Sequence, residues 1–157
     1  MNQTLVLYAG LSLAAGIFIP VTAALSGSMG RALGNPSMAA IVTTAGAFLL
    51  VLLYSFATGA VHVSANALAQ LTPLQWLAGF GIAFYTVSIT FLAPRFGVGN
   101  AVMLVLVGQI ISAAAIDHFA LFGAPQKPID WLRAAGIAIM VIGVVIAQTA
   151  ASNAKPR

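Results

Sequence analysis

GVGNAVMLVLVGQIISAAAIDHF, running from Gly97 to Phe119, decides what kind of protein this is. From Gly97 to Ile116 the run carries no charge, and about 20 apolar residues is the length a helix needs to cross the hydrocarbon core of a bilayer. The apolar residues are continuous rather than alternating every second position, which favours a helix over a strand of a barrel. Working outward from this run, four further stretches qualify. With it they give five predicted spans at about 5–25, 38–57, 74–93, 99–119 and 131–149.

The rest of the composition agrees. Of 157 residues 61% are hydrophobic and 5% charged, against about 25% charged in a soluble domain. Six Lys/Arg and two Asp/Glu cannot cover a water-facing surface, and no charge falls between Arg31 and Arg95. A soluble enzyme, a nucleic-acid-binding domain and a disordered regulator are therefore excluded. The net charge of +4 on so apolar a chain does not point to a nucleic-acid partner. With no cysteine there is no disulfide framework, thiolate metal site or Cys nucleophile. The expected fold is an all-α integral membrane protein, one five-helix transmembrane domain over 1–157, in contact with the lipid bilayer.

Turn residues punctuate the spans. SGSMGRALGNPS at 26–37 holds three glycines and an Asn-Pro, and reads as the first connection. A longer one at 58–73 contains His62, Asn66 and Gln70. PRFGV at 94–98 predicts a tight antiparallel hairpin, and GAPQKPID at 123–130 has two prolines before Trp131. No Lys or Arg precedes the first span, so it reads as a retained helix rather than a signal peptide.

Five crossings put the two ends on opposite sides. Arg31, Arg95, Lys155 and Arg157 then share one side, and Lys127 and Arg133 the other. The positive-inside rule reads orientation from this difference, and a difference this small leaves both a single topology and insertion in both directions open. Many secondary transporters hold substrate between inverted repeats. Five spans do not divide into equal halves, so an inverted partner would be a second chain. Trp76 and Trp131 both fall near the N-terminal side, and an antiparallel pair would supply aromatic belts at both interfaces.

Polar groups inside a span are costly, so the few present are the informative ones. Gln109 sits near the midplane of the fourth span and reads either as an interhelical hydrogen bond or as a substrate contact. Asp117 is the one acid in a predicted span. A structural ion pair with Arg133 is the favoured reading; the other is a proton or cation site tuned by His118. In the first span Ser12, Gly16 and Pro20 recur at four-residue spacing, a seam for close approach with a kink, and also suited to lining a pore. Tyr85 lies at mid-bilayer on one face with Ser88, and its hydroxyl needs a partner. Thr43 and Thr44 read as bonding their own backbone. Gly108, Ser112, Gly136 and Gly143 read as helix-packing positions. No metal-ligand cluster and no cofactor motif is present, and the lack of a phosphate loop with its Lys excludes ATP-driven transport by this chain.

FGVGNAVMLVLVGQIISAAAIDHFALFG at 96–123, after a short Pro-Arg connection, resembles the YdcZ-type family of small bacterial membrane proteins, a branch of the drug/metabolite transporter superfamily. The matching features are the Gly97 turn, the Gly108–Gln109 pair, and Asp117 followed by an aromatic and Gly123. GIFIPVTAAL at 16–25 and GRALGNPSMAA at 30–40 resemble the family's first span and first loop. The resemblance implies a multi-pass protein of the bacterial inner membrane and a five-helix unit assembling as an antiparallel, dual-topology homodimer or with an oppositely oriented paralogue. It also implies transport. Members often carry Asn where Ser26 stands here. Related small multidrug transporters use a carboxylate in the first span; Ser12 and Gly16 occupy that region here, so proton antiport is not carried over.

The expected function is that of a small secondary transporter, not an enzyme, moving a small polar or weakly charged metabolite by alternating access through a cavity at the dimer interface. Ser12, Pro20, Tyr85, Ser88 and Gln109 are the expected lining residues. A passive channel and a non-transporting scaffold subunit are the alternatives.

Overall fold

A computed structural model describes residues 3–60 and 64–153. The protein is built from helices: α1 (Gln3–Ala32), α2 (Pro36–Ala57), the short α3 (Ala65–Ala69), α4 (Pro73–Phe96), α5 (Val98–Phe119) and α6 (Trp131–Asn153). All but α3 are long and apolar enough to cross a membrane. His62, Lys155 and Arg157 lie outside the described residues.

Local chemistry sets the helix ends. Asn35 caps α2, its Oδ1 accepting from the backbone N–H of Ser37 at 2.9 Å and of Met38 at 3.2 Å, and Pro36 supplies the first turn. Pro73 does the same for α4, where Gln75 Oε1 accepts from the N–H of Thr72 at 2.7 Å. Gly97, at φ 90°, is the single residue between α4 and α5; a side chain there would be strained.

The first connection is much shorter than the sequence suggests. Helix α1 continues through Ala32, so residues 26–32 are helical and only Leu33, Gly34 and Asn35 separate α1 from α2. The glycines read as loop formers have another use. A Cβ on Gly27 would stand 3.1 Å from Pro94 Cγ, and one on Gly30 would stand 3.4 Å from Thr90 Cγ2. Both glycines are there for close helix approach. Likewise Pro94 and Arg95 belong to α4, not to a loop.

Two compact units divide the chain, Met1–Val98 and Gly99–Arg157. In the first, α1, α2 and α4 pack on one another through a core of small residues: Ala23, Ala39, Ala40 and Ala93 with Ile89. Apolar burial gives helices little reason to associate in lipid, so close van der Waals approach and hydrogen bonds hold such a core. In the second, Gln148 Nε2 donates to the carbonyl of Asn100 at 2.9 Å, and Arg133 pairs with Asp117. These two links tie α6 to both ends of α5.

Candidate functional site

Within the first unit, the buried polar cluster among the described residues is made of hydroxyls. Ser26 of α1 and Thr90 of α4 hydrogen-bond through their hydroxyls at 2.6 Å, and Thr43 Oγ1 of α2 donates to Ser26 Oγ at 3.0 Å. Ser26 is 1% exposed and Thr90 0%. One link in each of three helices satisfies the others, which is how hydroxyls survive away from water. This corrects the reading of Thr43 as bonded to its own backbone; Thr86, whose Oγ1 donates to the carbonyl of Ile82 at 2.8 Å, does that instead.

Outside this cluster, α2 and α4 leave a groove between them. Its two hollows, about 450 and 640 Å³, share Ser37 and Val87. The first is edged by Ser88 and Arg95 and the second runs past Ile41 to Phe48. Arg95 lies back along its own helix, Cζ 3.7 Å above the Phe91 ring centre with Nη1 donating to the Phe91 carbonyl at 2.8 Å.

In the second unit the polar groups gather where α5 runs into the following loop. Arg133 Nη2 lies 2.7 Å from Asp117 Oδ2, each side chain about one-third exposed. Arg133 Nη1 also donates to the carbonyl of Lys127 at 3.3 Å, and the N–H of Lys127 donates to the carbonyl of Asp117 at 2.8 Å. His118 Nδ1 accepts from the N–H of Ile129 at 3.0 Å. Asp130 caps α6, its Oδ1 accepting from the N–H of Arg133 at 2.7 Å. Two residues in the left-handed region, Ala120 (φ 51°) and Phe122 (φ 56°), turn the chain here. The loop is thus stitched to the helix end, and both acids in the stitching have a partner within it.

The expected lining residues are distributed unevenly. Ser88 is half-buried and edges the groove beside Arg95. Tyr85, one turn earlier, has its hydroxyl buried with no hydrogen-bond partner among the described residues. Ser12 and Gln109 are exposed, and Pro20 is half-buried in α1. The glycines read as packing seams are Gly16, Gly108, Gly136 and Gly143. A Cβ added to any of them would meet no atom within 4 Å among the described residues. Ser112 is exposed and donates to the carbonyl of Gln109 at 3.1 Å. Packing inside the chain uses Gly27 and Gly30 instead. Sequence reading gave Ser26, Thr90, Ser37 and Arg95 no site role; a hydroxyl near the same end of three successive spans was the available signal for the first of these.

Residues 7–146 match the model of a family described as "Putative inner membrane exporter, YdcZ". The chain belongs to the YdcZ family. No curated protein and no solved structure matches it. Family membership and five apolar helices make this YdcZ-family chain a multi-pass protein of the inner membrane. Membership also makes it a membrane transporter, from an exporter family rather than an enzyme family.

Proposed function

We propose that this YdcZ-family chain is a small secondary transporter that works as an antiparallel pair of copies, with the substrate path at their two-fold axis. One observation carries the reading: the small-residue seams are open. A Cβ on Gly16, Gly108, Gly136 or Gly143 would meet nothing within 4 Å among the described residues, and every residue of α1 from 3 to 18 is exposed. A glycine facing lipid gains nothing from its missing side chain, whereas against another helix it allows close contact. The five-span count supports an inverted partner supplied by a second chain, as transporters built on inverted repeats require.

The polar groups available for the path are uncharged. Ser12, Tyr85, Ser88 and Gln109 offer hydroxyls and an amide, each contributed twice by a pair, while Asp117 is occupied by Arg133. A small neutral, zwitterionic or weakly polar metabolite fits such a lining better than a strongly ionic one. Alternating access comes from rocking the two copies about their glycine seams.

The chain has no cysteine, so single Cys residues at Gln3 and Asn153 can be labelled from outside intact cells and again after permeabilisation. Partial external labelling of both positions is the expected result. One position wholly external and the other wholly internal sinks the homodimer and leaves an oppositely inserted paralogue, a channel or a scaffold subunit.

A further inference from the structure

The groove between α2 and α4 has a polar end and an apolar end. Arg95, Ser37 and Ser88 form the polar end, where α4 stops and α2 starts; Ile41, Val87 and Phe48 line the rest. Neither serine hydroxyl has a hydrogen-bond partner among the described residues, and no acid there pairs with Arg95. The reason for the second fact lies in the sequence. The chain has two acids, Asp117 and Asp130. Asp117 is held by Arg133 and Asp130 caps α6. Among the described residues, no carboxylate pairs with Arg95.

Length and setting say what kind of anion this end suits. Eleven residues separate Ser37 from Phe48, about 16 Å of helical rise, close to half of the ~30 Å hydrocarbon thickness. The groove therefore runs from an interface to near the bilayer centre. A groove at this depth is bathed in acyl chains, and each of its two hollows is within the usual range for ligand sites of about 300–1,000 Å³. Guanidinium groups match phosphate oxygens with paired N–H donors. Hydroxyls beside it add further donors.

We propose that the α2–α4 groove is a lipid site, taking one acyl chain of an anionic phospholipid along Ile41 and Phe48 with its phosphate held by Arg95, Ser37 and Ser88. This site shares only Ser88 with the proposed path lining and does not depend on the direction of insertion. It gives the chain a grip on one leaflet at the side of the three-helix unit.

Two measurements on the full chain test it. A benzophenone amino acid in place of Ala45, which lines the apolar half, is irradiated in vesicles and the adducts are weighed. The expected adduct has the mass of a phospholipid. Adducts to a second copy alone overturn the proposal and assign the groove to a partner helix. Native mass spectrometry of the unmodified protein then compares phosphatidylglycerol with phosphatidylcholine of the same acyl chains. Retention should favour phosphatidylglycerol roughly fivefold, the preference that about 1 kcal/mol per basic residue near an anionic surface confers. Arg95→Gln should bring the ratio near one while the Ala45 adduct persists. Equal retention of both lipids by the unmodified protein overturns the headgroup assignment without needing any variant to fold.

Discussion

Ser26 and Thr90 face each other across α1 and α4 with hydroxyl oxygens 2.6 Å apart, both essentially without solvent exposure. The pair sits beside tight contacts in the first unit, where Gly27 lies against Pro94 and Gly30 against Thr90. Small side chains bring the helices together, and hydrogen bonds become possible at that separation. Thr43 adds α2 to the same link. What joins three spans is thus a handful of small and hydroxyl residues, and the consequences can be measured.

Removing the Ser26 hydroxyl leaves both Thr43 and Thr90 without their partner. Ser26→Ala is expected to destabilise the first unit by about 0.6 kcal/mol, up to ~1.7, the range found for hydrogen bonds between membrane helices. Thr90→Val, which keeps the shape, should cost a similar amount. A double-mutant cycle of the two in detergent unfolding is expected to show coupling; additive losses would mean that the contact contributes no energy.

Gly27 and Gly16 should respond oppositely to the same change. Gly27→Ala puts a methyl 3.1 Å from a proline ring that cannot swing aside, and overpacking of this kind costs about 1–3 kcal/mol. Gly16→Ala meets nothing within 4 Å and should leave monomer stability unchanged or slightly raised. Thermal unfolding of the two variants side by side checks this. Gly16→Leu then reads the proposed seam, with loss of dimer by crosslinking as the expected result.

The Asp117–Arg133 pair is about one-third exposed at each end, and ion pairs in such positions are worth roughly 0–1 kcal/mol. Asp117→Asn and Arg133→Gln should each lower the melting temperature slightly. Exchanging the two residues should restore most of the loss. Abolition of transport by Asp117→Asn in a protein of normal stability would move this acid from a structural to a coupling role.

Gln109 is exposed in the single chain, at mid-span on α5. Gln109→Ala is expected to abolish transport of a loaded metabolite mixture from proteoliposomes while dimer yield on crosslinking stays as before. Equal loss of both would make the amide a structural link between copies.

The five spans were legible in the sequence because each is a local property. A helix in lipid must satisfy its own backbone within about 20 residues, so an uncharged apolar run declares itself without reference to any other part of the chain. The starts of α2 and α4, at Pro36 and Pro73, fall within two residues of the expected 38 and 74. The end of α1 was not legible. Ser26, Gly27 and Gly30 look like a turn when read alone, and become helix only because α2 and α4 are packed beside them.

Which face of each helix meets which neighbour was likewise undecided by sequence. These helices are apolar on every side, with large hydrophobic residues exposed along all of them, and a helix without a polar face gives no direction to its buried one. Gly16 and Gly27 have the same chemistry in the same helix. Only tertiary structure made one a contact and left the other open, because the Pro94 ring of α4 meets α1 at Gly27 while no described residue meets Gly16. The sequence determined that the described residues hold five helices long and apolar enough to cross a membrane, and nearly where. Tertiary structure alone decided that Ser26 joins Thr90 and Thr43 across α1, α2 and α4, and that Arg95 ends beside an apolar groove, since both depend on distances between helices that no single helix encodes.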